Sequence, residues 1–349
     1  MTIKPIMTIK RRQFLTATAA GVLAVPMAVP LAAPFISKAH AAEFAWKFGH
    51  GFPASHPLHV RAVEAAERIR KETNGKVDIA VFPNSQLGGD SDLLAQVRSG
   101  GIEFFSTGGL ILSTLVPVAS INGMGFAFKD YDAVWKAMDG QLGGVIRKGF
   151  DKAGLHAFER IWDNGFRQIT TATKPITGPA DLAAFKIRVP VSPVYVSLFK
   201  GLGASPTSIN LGEVYAALQT GVVDGQENPL VVADTAKFYE VQKFCSITNH
   251  VWDGSWIVTN GRSWRGLPED LRQIVSRNLN DGAQQQRQDI AGLNEALQNS
   301  LSQKGLTFNK VDPAPFREVL RKSGFYGEWK AKYGEEAWNA LESSVGALT

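Results

Sequence analysis

The sequence predicts an α/β protein made of two similarly built lobes. At 349 residues the chain exceeds one typical hydrophobic core, which favours two domains or two lobes that share a hinge. The stretch 44–106 alternates between strand and helix patterns, the arrangement of a lobe with a largely parallel sheet. A helix, glycine stop, strand and acidic residue occur at 94–103 and again at 215–224, which favours a second lobe of similar construction.

The elements of the first lobe follow from apolar spacing and end signals. Alternation predicts strands at 44–48, 77–82 and 102–106. Ser55 is the predicted cap of a helix over 57–74, since Asn-Gly ends that stretch. Asp90 or Asp92 begins a second helix, which ends at Gly100.

The later elements are predicted in the same way. Strands are expected at 155–162, 166–171, 185–189 and 251–260. We interpret Asp163-Asn164-Gly165 as a turn where the chain crosses between lobes. A proline-free stretch predicts a long helix from Pro268 to about Gly305, and further helices follow over 313–348.

These elements divide the chain into an export segment and two lobes. Residues 1–41 form the export signal. Residues 42–165 together with about 254–293 form the first lobe. Residues 166–253 together with about 294–349 form the second lobe and the C-terminal helices, so the long helix spans both lobes.

The first 41 residues have the features of an export signal. A basic start is followed by an apolar run over 14–33 and by small residues that end in Ala39-His40-Ala41, a cleavage pattern. The segment 10–15 resembles the twin-arginine export motif, and the alternative is an ordinary secretory signal with adjacent arginines. The mature protein then begins near Ala42 in the periplasm. Because Cys245 is the only cysteine, no intrachain disulfide is possible.

The net charge of +5 comes from the export segment. Of 37 basic residues, five lie within 1–41, a segment without acidic residues. The remaining 32 basic residues equal the 32 acidic ones, so the mature protein is neutral. Binding to nucleic acid or to an anionic membrane through bulk charge is therefore not predicted.

The stretch 210–229 ends in polar residues where a core strand would be apolar. Asn210 and Glu213 predict a capping box that begins a helix, and Gly221 ends it. Val222-Val223 follows as a short strand. The chain then reaches three polar residues and a proline, namely Gln226, Glu227, Asn228 and Pro229. Such a polar strand end suits the wall of a cleft better than a core.

Two arginines lie between apolar neighbours on predicted strands, Arg167 at 166–171 and Arg188 at 185–189. A guanidinium is always charged and offers a rigid fork of donors, so a buried strand arginine needs an anionic partner. The partner is either an internal acid, such as Glu227 or Asp224, or a ligand carboxylate held by two hydrogen bonds. Residue chemistry alone leaves both alternatives open.

Signatures of enzymes and metal sites are missing from the sequence. It contains no G-x-S-x-G elbow, no H-E-x-x-H pair, no P-loop and no paired-cysteine metal site. His50, His56 and His59 lie close together, but no nearby carboxylate–histidine spacing supports zinc. We therefore predict no catalysis, no metal and no cofactor.

Several ordered motifs resemble the extracytoplasmic solute-binding proteins of TRAP transporters, the DctP type. They are Gly165-Phe166-Arg167-Gln168, Lys186-Ile187-Arg188-Val189-Pro190, the helix over 212–221 and the run over 223–229. Ser85-Gln86-Leu87-Gly88 and Phe238-Tyr239-Glu240-Val241 also fit, so the resemblance extends over nearly all of the mature chain.

This resemblance implies a two-lobe α/β periplasmic-binding-protein architecture with a hinge. Such a protein closes over a small organic anion and delivers it to the sodium-driven membrane permease subunits of a TRAP transporter. By the same resemblance, Arg188 forms the main salt bridge to the ligand carboxylate, and Arg167 and Asn228 are further contacts. We expect a monomer that binds no nucleic acid.

Other candidate ligand contacts come from the surrounding motifs. Relatives that bind sialic acid carry charged residues where this chain has Thr107, which weakens a sialate assignment and makes Thr107 itself a candidate. Trp252 can cover an apolar or sugar face and Asp253 can accept a hydroxyl, although both can equally serve hinge packing. His50 and Phe52 lie on the first loop, where the first lobe closes over the ligand. Glu227 and Gln226 complete the candidate set beside Asn228.

Two other functional classes stay open at this point. One is a ligand-binding subunit of a periplasmic sensory system, and the other is an exported cofactor-dependent enzyme, for which the sequence offers no cofactor motif. The ligand itself is also open, since dicarboxylates, sugar acids, and aromatic or hydroxy acids all suit an arginine fork with a polar rim.

Overall fold

A mixed β-sheet forms the centre of the protein. The computed structural model describes residues 42–348, and the strands of that range join in one sheet of eleven. In chain order they are β1 (Phe44–His50), β2 (Val77–Phe82), β3 (Phe104–Gly108), β4 (Leu155–Ala157), β5 (Trp162–Thr171), β6 (Lys186–Val189), β7 (Ser205–Ser208), β8 (Gly225–Pro229), β9 (Phe244–Ile247), β10 (Trp252–Asn260) and β11 (Thr307–Lys310).

Two parallel parts of this sheet are joined by long antiparallel strands. The strand order is β2-β1-β3-β10-β5-β8-β6-β7, with β4 beside β10, β9 beside β5 and β11 beside β9. The groups β2-β1-β3 and β8-β6-β7 are parallel. β5 and β10 run antiparallel to each other. On its other side β10 pairs antiparallel with β3, and β5 pairs antiparallel with β8. These two strands therefore connect the parallel halves, the position of hinge strands.

Helices cover the sheet on its faces and ends. In residues 42–348 they are α1 (Pro57–Glu72), α2 (Asp90–Ser99), α3 (Gly109–Leu112), α4 (Tyr131–Met138), α5 (Gln141–Lys152), α6 (Pro193–Gly201), α7 (Val214–Gln219), α8 (Leu230–Thr235), α9 (Gly261–Gly266), α10 (Glu269–Gln303), α11 (Ala314–Lys322), α12 (Phe325–Tyr333) and α13 (Glu335–Val345). None of these helices is both long enough and apolar enough to cross a membrane.

The predicted long helix is confirmed as α10, which packs on α1, β5, α8 and β11 and so runs along both parallel halves. Gln286 fixes it to the sheet. The side-chain oxygen of Gln286 accepts a hydrogen bond from the Asp163 N–H at 2.9 Å, and its amide donates to the Asp163 carbonyl at 2.6 Å. The helix is thereby tied to β5 near the crossing between the halves.

The predicted turn at Asp163-Asn164-Gly165 is wrong, because β5 continues through it. Opposite this run, the pairing of β10 shifts register between Asp253 and Gly254. Gly165 adopts φ +107°, a conformation that favours glycine. The chain thus crosses between the halves through an irregular strand, where a bulge increases the local twist.

Two predicted helix caps differ in the structure. α1 begins at Pro57 as predicted, but its cap is His56 rather than Ser55, since His56 Nδ1 accepts from the Leu58 N–H at 3.1 Å. Asn210 makes no capping hydrogen bond, and a 3₁₀ turn at Leu211–Glu213 precedes α7. The predicted capping box is therefore wrong.

The strand of the stretch 210–229 lies later than predicted. Val222 is exposed, and the strand begins at Gly225 as β8. The polar residues thus form the strand itself instead of following it. All five residues of β8 are buried, so their polar groups must find partners inside the protein.

The C-terminal helices cover one side of the molecule. α13 packs on α4 and α5, and α12 packs on α6. The predicted lobe boundaries stay a prediction. The predicted export segment, 1–41, lies outside the described residues.

Candidate functional site

A narrow cleft lies where several strands end. Its volume is about 40 Å³. The residues that line it are Gly51, Phe52, Asp90, Thr107, Gly108, Leu110, Ile111, Asn164, Arg167, Arg188, Pro190, Leu211, Asn228 and Asp253. Several lie at or just after the carboxyl ends of β1, β3, β6 and β8, where open α/β sheets commonly bind ligands.

Two wider grooves, each of about 710 Å³, lie elsewhere among the described residues. In the first groove Lys332 and Glu328 are about half exposed and form an ion pair with each other, and Lys200 is exposed. Charges that are in contact with solvent or already paired need no further counter-ion. The narrow cleft differs, because its charged groups are buried.

Arg188 is the cleft residue whose charge is least compensated. It lies on β6, its side chain is buried, and Nε and Nη2 both donate to the Ile209 carbonyl, at 2.9 and 2.6 Å. Among residues 42–348 no carboxylate forms an ion pair with it. Burial lowers the pKa of Arg188 to about 10, and the more distant charge of Glu227 opposes this effect. The site therefore holds a buried cation that favours an incoming anion.

Arg167 is fully engaged within the protein. Its Nε and Nη2 donate to Glu227 Oε2 and Oε1 at 2.5 and 2.8 Å, and Nη1 donates to Asp253 Oδ2 at 2.7 Å. Its guanidinium also lies 5.4 Å from the centre of the Tyr195 ring. Burial lowers the pKa of Arg167, but the charges of Glu227 and Asp253 outweigh burial and raise it. The sequence left open whether the anionic partner of Arg167 is an internal acid or a ligand carboxylate. In the structure Arg167 is paired with internal acids, Glu227 and Asp253.

Glu227 lies behind Arg167 and is held by a second buried partner. His250 Nε2 is 3.0 Å from Glu227 Oε2, and His250 Nδ1 is 2.8 Å from Thr248 Oγ1. Burial raises the pKa of Glu227, but Arg167 and His250 outweigh it, so the pKa is lowered. Burial lowers the pKa of His250. Glu227 is therefore an ionised acid whose role is to hold Arg167.

Asp253 faces the cleft with one free oxygen. Its Oδ2 accepts from Arg167 and from Asn164 Nδ2, the latter at 3.1 Å. Its Oδ1 is buried and has no hydrogen-bond partner in the described chain. Burial raises the pKa of Asp253, while Arg167 opposes the effect. Oδ1 is thus available to accept a hydrogen bond from a ligand.

Asn164 holds Asp253 through one end of its side-chain amide. Its Nδ2 donates to Asp253 Oδ2, whereas its Oδ1 is buried and has no partner within hydrogen-bond distance in the described chain. Burial is the largest cause that lowers the pKa of His56 to about 3. Because His56 Nδ1 accepts the capping hydrogen bond, Nε2 carries the proton, and this atom is also buried without a hydrogen-bond partner in the described chain.

Asp90 is a second acid in the cleft. It is the first residue of α2, it is buried, and its Oδ2 lies 3.5 Å from the Leu211 N–H across the cleft. Burial raises the pKa of Asp90, and the charge of Arg188 opposes the effect. An added methyl at Gly51 would lie 3.3 Å from Asp90 Oδ1, so glycine leaves room for this side chain.

The remaining polar residues of β8 form a short chain of hydrogen bonds. Asn228 Nδ2 donates to Gln226 Oε1 at 2.5 Å, and Gln226 Nε2 donates to Thr170 Oγ1 at 2.8 Å. Gln226 also pairs with Arg188 in the sheet register. Asn228 lines the cleft, and Gln226 orients it from behind.

The cleft brings together most, but not all, of the residues predicted from the sequence. Those that line it are Arg188, Arg167, Asn228, Asp253, Phe52 and Thr107. Those that do not line it are Glu227, Gln226, Trp252 and His50. Trp252 donates from Nε1 to Asp163 Oδ1 at 2.9 Å, and His50 Nε2 lies 3.1 Å from His59 Nδ1. A direct ligand contact by any of these ten residues stays a prediction.

Sequence reasoning missed three cleft residues of chemical interest, Asp90, Asn164 and Leu211. Asp90 was interpreted as the start of a helix and Asn164 as part of a turn. The Gly-Gly-Asp run at 88–90, directly after the Ser85-Gln86-Leu87 motif, is the signal that could have pointed to Asp90. Within the described chain, no group of three or more His, Cys, Asp or Glu side chains is arranged to hold a metal ion.

Comparison with known proteins identifies the family of this chain. Residues 48–324 match the family described as bacterial extracellular solute-binding protein, family 7, or DctP. The chain belongs to this family. Its sequence is 31% identical over 307 residues to the C4-dicarboxylate-binding periplasmic protein DctP of Rhodobacter capsulatus, covering 86% of this chain and 90% of that protein.

Solved structures of TRAP periplasmic solute-binding proteins have the same fold. A TRAP periplasmic solute-binding protein of Roseobacter denitrificans with bound L-galactonate has a TM-score of 0.81 and 30% identity, covering 87% of this chain and 99% of that one. One from Sulfurospirillum deleyianum with bound succinate has the same TM-score and identity, covering 87% and 98%. The predicted TRAP solute-binding class and two-lobe α/β fold are confirmed.

Proposed function

We propose that this DctP-family protein captures a small organic carboxylate in the periplasm and delivers it to the permease subunits of a TRAP transporter. The observation that carries the proposal is Arg188, a buried guanidinium with no ionic partner in the described chain. Burying a charge without a counter-ion is costly, so a site built this way gains most from an anion.

A carboxylate suits Arg188 better than other small anions. The Ile209 carbonyl occupies Nε and one side of Nη2, and Nη1 donates to no residue of the described chain. The remaining donors form a fork that can grip the two oxygens of a carboxylate. The contact with Ile209 also fixes the direction of the side chain, which lowers the entropy lost on binding.

The narrow cleft supports a mechanism in which the two walls close over the ligand. Segment 210–211 approaches the first wall, since an added methyl at Gly89 would lie 3.2 Å from Asn210 Nδ2 and one at Gly51 would lie 3.8 Å from Leu211 Cβ. A ligand that touches Arg188 on one side and Asp90 on the other stabilises the closed form over the open one.

The names of the similar proteins agree with a carboxylate ligand. One relative is named for C4-dicarboxylates, and the two neighbouring structures hold L-galactonate and succinate. By this proposal the chain is exported through its twin-arginine-like segment, acts as a monomer and binds without transforming its ligand. The functional partner is then a membrane permease.

The proposal is tested by screening organic acids and then removing Arg188. A thermal-shift screen finds the acids that stabilise the protein, and calorimetry measures their affinity. We expect Arg188→Ala to lower the affinity for the best acid at least about 100-fold, because two charge-assisted hydrogen bonds are lost.

The matched control is Arg70→Ala, an exposed arginine of α1, which should leave the affinity unchanged. Circular dichroism shows whether each variant is folded. An unchanged affinity in a folded Arg188→Ala protein contradicts the role of Arg188. A screen in which no organic acid binds contradicts the proposed function.

A further inference from the structure

We infer that the cleft selects a monocarboxylate that carries several hydroxyl groups and discriminates against dicarboxylates, an inference that rests on the proposed function. In this arrangement Arg188 holds the single carboxylate, and Asp90 and Asp253 accept hydrogen bonds from ligand hydroxyls. The two aspartates then decide the class of ligand.

The first step is a count of charges around the cleft. Arg167 and Arg188 are the basic residues that line it, and Asp90 and Asp253 are the acidic ones. Arg167 is already paired with Glu227 and Asp253. Arg188 is thus the one lining cation of the described chain without an ionic partner, which is enough to balance one ligand carboxylate.

A second carboxylate would lack a cation of its own. It would have to share Arg167 with Glu227, which already occupies Nε and Nη2, and with Asp253, which occupies Nη1. It would also lie in a small cleft with two protein acids, where like charges repel strongly because little water screens them. Binding of a dicarboxylate therefore carries an electrostatic penalty that binding of a monocarboxylate avoids.

Hydroxyl groups, in contrast, match what the walls offer. Asp253 Oδ1 is buried without a partner, so it lacks the hydrogen bond that buried polar atoms normally have. Asp253 cannot easily turn this oxygen elsewhere, since Arg167 and Asn164 hold its other oxygen at 2.7 and 3.1 Å. A ligand hydroxyl can donate a hydrogen bond to this oxygen without adding another negative charge to the cleft.

Asp90 provides the same chemistry from the other wall. Its only hydrogen bond in the described chain is the long one from the Leu211 N–H, at 3.5 Å, so the carboxylate has unused acceptor capacity. Asn164 Oδ1 is also buried without a short hydrogen bond. The cleft thus has one cation for a carboxylate and several acceptors for hydroxyls.

The test compares three classes of acid on the wild-type protein by calorimetry. The probes are L-galactonate, D-gluconate and D-galacturonate as hydroxylated monocarboxylates, succinate and L-malate as dicarboxylates, and butyrate as a monocarboxylate without hydroxyls. We expect at least one hydroxylated monocarboxylate to bind at least about 100-fold more tightly than either dicarboxylate and than butyrate, the difference that a few well-placed hydrogen bonds provide.

A variant then assigns the selection to Asp90. Asp90→Asn keeps the shape and removes the charge, so we expect the ratio of the affinities for the best hydroxylated acid and succinate to fall at least about tenfold. Asp270→Asn, an exposed aspartate at the start of α10, is the control and should leave the ratio unchanged. If Asp90→Asn does not fold, the wild-type comparison alone decides the ligand class.

Each outcome has a defined meaning. A dicarboxylate or butyrate that binds as tightly as the hydroxylated acids overturns the inference and leaves the proposed function standing. An unchanged ratio in folded Asp90→Asn overturns the role of Asp90. If none of the six probes binds, the inference is overturned, and the wider screen of organic acids decides whether the proposed function stands.

Discussion

Arg167 and Glu227 form a two-point ion pair, with Nε to Oε2 at 2.5 Å and Nη2 to Oε1 at 2.8 Å. Both side chains are almost fully buried. This pair separates the roles of the two strand arginines, because Arg167 is neutralised inside the protein whereas Arg188 is not. The division explains how two adjacent guanidinium groups share one small cleft without prohibitive repulsion.

The ion pair predicts a large loss of stability in Glu227→Gln. The variant keeps the shape of the side chain but leaves Arg167 with Asp253 as its remaining acid and places amide hydrogens near guanidinium hydrogens. We expect the free energy of unfolding to fall by about 3 kcal/mol, as when one partner of a buried pair is removed. Urea denaturation followed by circular dichroism measures the change.

Glu269→Gln is the control for this prediction, because Glu269 pairs with Arg272 at the surface and is about two-thirds exposed. Its loss should change the free energy of unfolding by at most about 1 kcal/mol. Equal effects of the two substitutions would show that burial of the Arg167–Glu227 pair has no special consequence.

Asp163 predicts a dependence of stability on pH. Burial raises its pKa to about 7 from 3.8, while hydrogen bonds from Trp252 and Tyr131 oppose the effect. Since the folded protein binds this proton more tightly than the unfolded chain, the stabilisation is complete below about pH 4 and is lost as the pH rises to about 7. The full pKa shift corresponds to roughly 4 kcal/mol in the free energy of unfolding, because each pKa unit is worth about 1.4 kcal/mol.

Asp163→Asn tests this dependence because an amide resembles the protonated acid and keeps an acceptor for Trp252. We expect the variant to be more stable than the wild type at pH 8 and the difference to shrink toward pH 5, as measured by urea denaturation across that range. Asp281→Asn, an exposed position of α10, serves as the control. A stability difference that does not vary with pH would refute the assignment to Asp163.

Local signals were sufficient for many of the elements and for the expectation that Arg188 lies in the cleft. The glycine stop at Gly100 and the absence of proline from 269–303 are properties of the local sequence, and the structure has the corresponding helix end and long helix. Arg188 and Arg167 both stand out as charged residues between apolar strand residues, and the resemblance to TRAP solute-binding proteins singles out Arg188 as the expected ligand contact. Such features depend on the residues next to them in sequence.

The partners across the cleft could not be predicted, because they depend on long-range contacts. Arg167 meets Asp253 over a separation of 86 residues, and Asp90 meets Leu211 over 121. Asp90 therefore looked like an ordinary acid at the start of a helix. For Trp252 and Asp253 the alternation of a strand already indicates opposite faces, and the structure indeed directs one to Asp163 and the other to the cleft.

Gly108 offers a test of the free oxygen of Asp253 without altering any charge. A methyl added at Gly108 would lie 2.9 Å from Asp253 Oδ1, and Arg167 and Asn164 prevent the carboxylate from moving away. Gly108 has φ −62°, which alanine accepts, so backbone strain is not introduced. We expect Gly108→Ala to weaken binding of the best organic acid at least about tenfold, the effect of one lost hydrogen bond to a charged group.

Calorimetry measures the affinity. Gly178→Ala, where an added methyl meets nothing within 4 Å, is the matched control and should bind normally. Normal binding by Gly108→Ala would show that the ligand does not reach Asp253.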